Sequence, residues 1–339
     1  MVISISMTMT MTMTMIFDIV WIVVGVAMVL WGADRLTEGA SALARRMNIP
    51  EIIIGLTIVA AGTSAPELFV SIVSALKGTP DLAVGNVVGS NTMNAMLIVG
   101  CAAMVAPMTI SRSTVRKDIP FAVAASALLI LIALDSFLGR IDGIILLAGF
   151  AAFMGWTLYG AKTNEANESH KTYGAHEANE ANEANETNEA KSPWVSAAYV
   201  VAGLAGLVLG SNLFVDSASS VAASLGISEG VIGLTVVAGG TSLPELATSV
   251  VAARKGQSAI AIGNVIGSNV FNILLILGLT ATISPLEIEG ITTIDMAVML
   301  LSVTLVWFFS RTRYTVERWE GAVLVVGYLA YLGWMLSSL

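Results

Sequence analysis

The stretch GLTIVAAGTSAPELFVSIVSALKG, residues 55–78, decides the fold, because it returns as GLTVVAGGTSLPELATSVVAARKG at 233–256. Sixteen of these 24 positions are identical. A second pair, GNVVGSNTMNAMLIVG at 85–100 and GNVIGSNVFNILLILG at 263–278, shares 10 of 16 positions at the same offset of 178 residues. Each half of the chain therefore contains the same two-segment unit, the signature of an internal repeat.

The composition indicates a membrane protein. Of the 339 residues, 56% are hydrophobic and 12% are charged, whereas an ordinary soluble domain is about 25% charged. The net charge of −8 would repel a phosphate backbone, so we expect no nucleic-acid partner. Cys101 is the single cysteine, which excludes an intrachain disulfide and a thiolate metal site.

Ten apolar runs have about the 20-residue length that spans a bilayer as a helix. They are too long for the strands of a membrane barrel, and their residues do not alternate between polar and apolar. The predicted fold is an all-α polytopic membrane protein with ten transmembrane helices in two inverted five-helix repeats. The runs are 16–34, 52–75, 82–105, 119–138, 141–160, 194–215, 228–252, 258–283, 292–310 and 317–338.

The repeats should have opposite orientations, because each half contains an odd number of spans. Inverted repeats are typical of secondary transporters, whose site lies at the midplane between the copies. A duplication kept only for folding would explain the matched apolar residues, but not the matched polar ones. The predicted boundaries are an N-terminal tail at 1–14, a first repeat at 15–160 with its motif at 55–100, a linker at 161–193, and a second repeat at 194–339 with its motif at 233–278.

The linker 161–193 differs in composition from everything around it. It contains repeated AsnGluAla, seven Glu and almost no apolar residues, so it cannot bury a core and should be disordered. We interpret His170 and His176 as solvated linker residues, because their spacing matches no metal motif.

Basic residues set the predicted topology. If the loop after the first span is cytoplasmic, 14 of the 16 Lys and Arg lie on that side, and the other side has only Lys77 and Arg140. When the linker is left out, 11 Lys and Arg still lie on the cytoplasmic side and 2 on the other side. The positive-inside rule then predicts that both termini lie outside and that the linker lies in the cytoplasm. The expected location is the plasma or inner membrane, which the chain crosses several times.

Glu67 and Glu245 are the acidic residues that lie deepest in apolar spans, at equivalent positions of the two repeats. A charge at mid-membrane costs roughly 2.5–3.5 kcal/mol on insertion scales. Two such carboxylates indicate a counter-cation. The alternative is a pair of protonated side chains that hydrogen-bond helices together.

Other polar groups share the depth of these carboxylates. Thr63 and Ser64 precede Glu67 by four and three residues, on the same helix face. Pro66 cannot donate to the carbonyl four residues back, so the oxygen of Gly62 lacks its helical partner, which is tolerated only next to a cavity or ion. The second repeat has the same arrangement at Thr241, Ser242, Pro244 and Gly240.

The partner segment of each repeat adds polar residues spaced by four on one face. Gly85/Gly89 and Gly263/Gly267 form small-xxx-small pairs, which we assign to close helix packing. The polar residues are Asn86, Ser90 and Asn94 in the first repeat and Asn264, Ser268 and Asn272 in the second.

Oxygen donors without His or Cys select a hard cation. Calcium accepts 6–8 such oxygens in flexible geometry, whereas magnesium dehydrates reluctantly. Two carboxylates balance one Ca²⁺ or two Na⁺. Competition of two ions for the same charge is the physical basis of an antiporter.

The motif GlyThrSer-x-ProGlu followed by GlyAsn-x-x-GlySerAsn-x-x-Asn, present twice, resembles the alpha-repeats of prokaryotic sodium/calcium exchangers of the calcium:cation antiporter superfamily. The resemblance implies Na⁺/Ca²⁺ exchange by alternating access, with the first helix of each half sliding past the core. It implies a calcium site at Thr63, Glu67, Thr241 and Glu245. It also implies sodium sites that use the same glutamates with Ala60, Ser64, Ser90, Ala238, Ser242 and Ser268. A central polar pair at Asn94 and Asn272 and helix breaks at Pro66 and Pro244 complete the implied site.

The chain departs from many relatives at the positions of Asn94 and Asn272, where an aspartate is common. An acid at the second position accompanies potassium dependence in some branches, so its absence disfavours potassium co-transport. The large calcium-sensing domains of animal exchangers have no counterpart here. Proton/calcium exchange ranks second, since that branch usually lacks GlyThrSer-x-ProGlu.

Two readings from other classes remain open. A passive cation channel usually builds its pore from symmetric subunits, whereas this chain has its own inverted pair. An intramembrane hydrolase would need a nucleophile–base pair or an open metal site. The predicted spans contain no His, so we expect no enzyme activity. The expected partners are Ca²⁺, Na⁺ and the lipid bilayer, with no resident cofactor, no required protein partner and a monomeric state.

Overall fold

The structure is a computed structural model that describes residues 2–47, 49–168, 193–225 and 238–337. Helices make up most of this part of the chain. In chain order they are α1 Val2–Arg46, α2 Glu51–Thr63, α3 Ala65–Leu76, α4 Pro80–Val105, α5 Arg112–Arg116, α6 Asp118–Ile132, α7 Arg140–Glu168, α8 Pro193–Ser224, α9 Ala238–Thr241, α10 Leu243–Arg254, α11 Ser258–Ile283, α12 Thr293–Arg311 and α13 Arg318–Ser337.

Seven of the described helices are long and apolar enough to cross a bilayer: α1 from Met15 onward, α4, α7, α8, α11, α12 and α13. Helices α2 and α3 form one bent span with an angle of 45° between them. The predicted polytopic helical class is therefore confirmed. The count of ten stays a prediction, because residues 226–237, which precede α9 and α10, lie outside the described residues.

The helix that forms in the fourth predicted run, 119–138, is shorter than a full span. Helix α6 has 15 residues and ends at Ile132, which gives about 22 Å against the roughly 30 Å of a bilayer core. Ser136 then has φ 60°, a left-handed conformation that a continuing helix does not allow. The chain passes into strand β2, Phe137–Leu138.

Two helices extend across predicted segment boundaries, which stay predictions. The N-terminal tail 1–14 is helical from Val2 and continues into the first span as α1. Helix α7 extends to Glu168, so the first residues of the linker 161–193 are helical and not disordered. In both places an existing helix is extended, which avoids the cost of nucleation. The remainder of the linker, with His170 and His176, lies outside the described residues.

Short strand pairs join the two halves at both ends of the helices. Strand β1, Met108–Thr109, pairs antiparallel with β4, Thr315–Val316, and β2 pairs with β3, Leu286–Glu287. Strands β1 and β3 differ by the repeat offset of 178 residues, and so do β2 and β4. Each half therefore contributes one strand to each pair.

Helices α4 and α11 form the centre of the molecule. Their most apolar windows are 78% and 94% buried, whereas those of α1 and α13 are 17% buried. The outer helices expose large apolar side chains, such as Trp194 at 84% and Ile141 at 74%. An exposed apolar surface of this extent marks contact with a membrane.

The predicted close packing is confirmed for the glycine pair of the second repeat. A Cβ added to Gly263 would lie 2.8 Å from Ile52 O, and one added to Gly267 would lie 2.7 Å from Ala60 Cβ. In the first repeat, a Cβ at Gly85 would lie 3.0 Å from the side chain of Ile291. At Gly89 it would meet no atom of the described residues within 4 Å.

Helices α1 and α8 also pack backbone against backbone. A Cβ on Gly32 would lie 2.7 Å from Gly203 O, and one on Gly25 would lie 2.8 Å from Gly210 O. The contacts run in opposite chain directions, so the two helices are antiparallel. Small residues permit this approach where a larger side chain would separate the helices.

Candidate functional site

Two helix breaks lie at the centre of the site. Helices α2 and α3 meet at Ser64, and α9 and α10 meet at Ser242, with nearly the same backbone angles at the two serines (φ −83°, ψ 8° and φ −90°, ψ 7°). Pro66 and Pro244 occupy the second position of the new helices, where a missing N–H costs nothing. Each helix break thus lies two residues before its proline.

The main-chain oxygen of Gly240, one of the two expected to lack a helical donor, accepts a hydrogen bond from Ser211 Oγ over 2.8 Å. One of its two lone pairs is therefore occupied. Ser211 lies on α8, and its counterpart in the first repeat is Ala33, which has no hydroxyl. Sequence reasoning missed Ser211 because nothing in the motif refers to the neighbouring helix.

Both glycines before the breaks are in contact with α8. A Cβ added to Gly62 would lie 2.3 Å from Leu204 Cδ2, and one added to Gly240 would lie 2.0 Å from Val215 Cγ2. The glycines therefore let α8 pack directly against the broken helices that hold the carboxylates.

The two carboxylates are fully buried and are held by the opposite repeat. Glu67 and Glu245 each have 0% exposure. Ser64 Oγ donates to Glu245 Oε1 over 3.0 Å, and Ser242 Oγ donates to Glu67 Oε1 over 3.2 Å. Oε2 of each carboxylate has no hydrogen-bond partner among the described residues. Each carboxylate thus has one oxygen that could bind a cation.

Further hydroxyls surround the carboxylates. Ser268 Oγ is 3.5 Å from Glu245 Oε1, and Ser242 Oγ is 3.2 Å from Ser90 Oγ. The Thr63 hydroxyl interacts with Glu245, and the Thr241 hydroxyl interacts with Glu67. The predicted Thr and Ser ligands therefore gather around the two glutamates.

Thr63 also connects to the other predicted positions. Its Oγ1 lies 3.0 Å from Asn264 Oδ1 and 3.4 Å from the carbonyl of Ala60. Ala60 is fully buried, so its carbonyl lies in the same layer as the hydroxyls. Ala238 is the first residue of α9, one helical turn before Ser242.

Two amides support the glutamate backbones. Asn86 Nδ2 donates to Glu67 O over 3.1 Å and to Ser71 Oγ over 3.0 Å. The second repeat has the same two bonds, from Asn264 Nδ2 to Glu245 O over 3.3 Å and to Ser249 Oγ over 3.0 Å. Sequence reasoning missed both serines, although the offset of 178 between them was a usable signal.

The hydrogen-bonded pair at the centre is formed by Asn91 and Asn269. Each donates its Nδ2 to the other's main-chain oxygen, over 3.2 and 3.4 Å. Asn272 Nδ2 donates to Asn91 Oδ1 over 3.0 Å, whereas neither amide atom of Asn94 has a partner in the described part of the chain. Both predicted asparagines are buried, and no hydrogen bond between described residues joins Asn94 to Asn272 directly.

These asparagines lie where the central helices widen. Asn94 begins a π-helical segment, Asn94–Ile98, in α4, and Asn272 belongs to the segment Phe271–Leu277 in α11. Such segments occur frequently at functional sites.

Chemically, the site is a buried acidic centre lined with neutral oxygens. The two carboxylates repel each other, and burial removes the water that would stabilise them. A hard cation at the unpartnered oxygens would relieve both penalties, because hydroxyl, amide and carboxylate oxygens are the ligands that Na⁺ and Ca²⁺ accept.

The sodium/calcium exchanger protein family model matches the chain twice, at residues 17–159 and 195–337. The chain belongs to the sodium/calcium exchanger family. The two matched segments correspond to the two halves that share the repeated motif. The protein is accordingly a membrane antiporter that transports ions, of the prokaryotic type.

Two prokaryotic relatives match this exchanger along nearly their whole length. The inner membrane protein YrbG of Escherichia coli is 37% identical, over 92% of this chain and 94% of its own. The sodium/calcium exchanger MaX1 of Methanosarcina acetivorans is 34% identical, over 92% and 96%. A solved structure of the sodium-calcium exchanger NCX_Mj, soaked with Na⁺ and Sr²⁺, aligns with a TM-score of 0.80 at 28% identity, over 94% of this chain and 98% of that one.

Proposed function

We propose that this exchanger moves Ca²⁺ against Na⁺ across the membrane by alternating access, with the ions competing for the site around Glu67 and Glu245. The observation that supports this most is the pair of fully buried carboxylates, each with one oxygen unpartnered among the described residues. Their two charges match one Ca²⁺ or two Na⁺. The exchanger names of MaX1 and NCX_Mj support the same ion pair.

The contacts around the glutamates support the proposed ligand roles. Ca²⁺ would be bound by the carboxylates with the hydroxyls or carbonyls of Thr63 and Thr241. Na⁺ would be bound beside the carboxylates by a wider set of oxygens. That set comprises the carbonyls of Ala60 and Ala238 and the hydroxyls of Ser64, Ser90, Ser242 and Ser268.

Alternating access would come from movement of α1 and α8 past the central helices. Their backbones touch at Gly25, Gly32, Gly203 and Gly210, so we propose that they move as one body. Because Gly62 and Gly240 pack against α8, its movement would change access to both helix breaks.

The proposed topology has ten spans in two inverted halves, both termini outside and the linker 161–193 in the cytoplasm. The strand pairs and the reciprocal bonds of the site, each related by 178 residues, support the inverted arrangement. The basic residues support the orientation. We propose a location in the plasma or inner membrane.

Purified protein in sealed vesicles tests this function. Calcium uptake should require sodium inside the vesicles and should stop when the sodium gradient is removed. Replacing internal sodium with potassium, or with a proton gradient, tests the potassium-dependent and proton/calcium alternatives. Calcium flux that needs no opposing ion would show a channel and overturn the proposal.

A further inference from the structure

A cleft between two basic loops lies at one end of the helix bundle, away from the glutamates. The β1–β4 pairing brings the loops together, and Ile110 N donates to Tyr314 O over 2.8 Å. The cleft has a volume of about 330 Å³. Its lining residues are Val115, Arg116, Trp307, Arg311 and Tyr314.

Two guanidinium groups stack on aromatic rings at this cleft. Arg311 lies over the Trp307 ring at 5.2 Å, and Arg112 lies over the Tyr314 ring at 5.1 Å. Trp307 Nε1 donates to Val115 O over 2.9 Å, which fixes the indole. A stacked guanidinium keeps its N–H edge available for an acceptor.

The arginines have no carboxylate partner in the described part of the chain. Among the described residues, no salt bridge includes Arg112, Arg116 or Arg311. Two acidic groups in the adjoining helices have other partners: Asp118 interacts with Thr114 and Lys117, and Glu320 accepts the main-chain N–H of Glu317 over 2.8 Å. The cleft is therefore a concentration of unpaired positive charge.

The other end of the molecule shows that the fold itself does not need these arginines. The β2–β3 pair there repeats the geometry, and Ser136 has φ 60° where Tyr314 has φ 56°. The positions equivalent to Arg112, Arg116 and Arg311 are occupied by Gly290, Ile294 and Ala133. A rule of orientation explains basic loops on one side, but it does not require guanidinium groups stacked around a cleft.

We propose that this cleft binds the phosphodiester headgroup of an anionic phospholipid. Arginine donates two parallel hydrogen bonds to phosphate oxygens, and basic pockets between membrane helices bind lipid headgroups. The acyl chains would continue along the neighbouring apolar surface, where Phe308 and Trp319 are 64% and 62% exposed. The bound lipid would hold the two loops of opposite repeats together.

The test compares a cleft variant with a charge-matched control. The cleft variant is Arg116→Gln with Arg311→Gln, and the control is Arg45→Gln with Arg46→Gln, which removes two exposed arginines of the same side outside the cleft. Phosphatidylglycerol that stays bound in detergent is counted by native mass spectrometry. Each basic residue near a headgroup is worth about 1 kcal/mol, so the cleft variant should bind roughly 10–30-fold more weakly.

Three further measurements complete the test: a variant that retains the charge, thermal stability in two vesicle compositions, and protection by inorganic phosphate alone. Arg116→Lys with Arg311→Lys retains the charge, so it should insert normally and bind between wild type and the glutamine variant. Vesicles of phosphatidylcholine with and without phosphatidylglycerol should give a difference in thermal stability for wild type and not for the cleft variant. Equal lipid loss in both glutamine variants, or equal protection by inorganic phosphate alone, would overturn the proposal.

Discussion

Ser64 Oγ donates a hydrogen bond to Glu245 Oε1 over 3.0 Å, and thus joins the helix break of the first repeat to the carboxylate of the second. Ser242 and Glu67 form the reciprocal bond over 3.2 Å. Each repeat therefore supplies a hydroxyl to the other repeat's carboxylate. An ion at either glutamate would therefore meet groups from both halves of the molecule, as the proposed exchange requires.

Glu67→Gln or Glu245→Gln should abolish calcium transport while the protein still inserts into the membrane. A single carboxylate cannot neutralise a divalent ion in a poorly solvated site. Loss of one partner from a buried charge cluster costs about 3–5 kcal/mol, so calcium affinity should fall at least roughly 100-fold. Binding to purified protein measures this, with the exposed Glu289→Gln as control. Near-native affinity in either site variant would contradict the assignment.

Ser64→Ala and Ser242→Ala should weaken sodium-driven exchange to a similar extent. Each removes one donor from a buried carboxylate, a loss of about 1.5–3 kcal/mol that corresponds to roughly 10–100-fold in affinity. The measurement is the sodium dependence of calcium uptake. Ser126→Ala, which removes a buried hydroxyl bonded within its own helix, should have no effect. A large effect of only one site serine would show that the reciprocity is not functional.

Gly32→Ala should destabilise the contact between α1 and α8. The added methyl would lie 2.7 Å from the main-chain oxygen of Gly203, and overpacking costs about 1–3 kcal/mol. Thermal unfolding in detergent should show a lower midpoint, together with slower exchange. Gly155→Ala is the control, since no described atom lies within 4 Å of its added Cβ. An unchanged midpoint for Gly32→Ala would mean that the two helices are easily separated.

Asp34→Asn should shift the balance between the two conformations of the exchanger. Lys255 Nζ lies 2.6 Å from Asp34 Oδ1 and ties α1 to the end of α10. The equivalent positions, Asn212 and Lys77, have no carboxylate, so the tie exists at one end only. Both side chains are about one-third exposed, so the pair is worth about 0.2–1 kcal/mol, up to roughly fivefold in the equilibrium.

The measurement for this pair is the apparent calcium affinity at each face, in vesicles of both orientations. The ratio of the two affinities should change in Asp34→Asn and in Lys255→Met. It should return towards wild type when Asp34→Lys is combined with Lys255→Asp. An unchanged ratio in both single variants would show that α1 does not move relative to α10.

Asn272→Asp should change the cation preference of wild-type exchange, for which we expect sodium to suffice without potassium. The substitution adds a third buried charge and removes the bond from Asn272 Nδ2 to Asn91 Oδ1. The new carboxylate must therefore bind either a proton or an extra cation. Calcium counterflow with and without external potassium, from acid to alkaline pH, separates these outcomes. A variant that matches wild type in every condition would remove Asn272 from the site.

The sequence alone determined the membrane class, the repeat, the two deep glutamates and the helix breaks. These features depend on local properties: the length of an apolar run, the missing N–H of Pro66 and Pro244, and the cost of a charge among apolar residues. The structure has the breaks one residue after Thr63 and Thr241, as the prolines predict. A constant offset between two motifs also establishes which residues are equivalent.

Knowing which residues of the two repeats are equivalent does not tell which residues touch each other. Those contacts were decided by the tertiary structure. The spacing of the motif puts Ser64 and Glu67 on one helix face, yet the serine bonds to Glu245 across the repeats. Ser211 and the pair Asn91 and Asn269 enter the site because α8, α4 and α11 pack closely enough to bring them there. Which buried donor meets which acceptor depends on distances between helices, and those are set by packing of the whole chain and not by spacing within one segment.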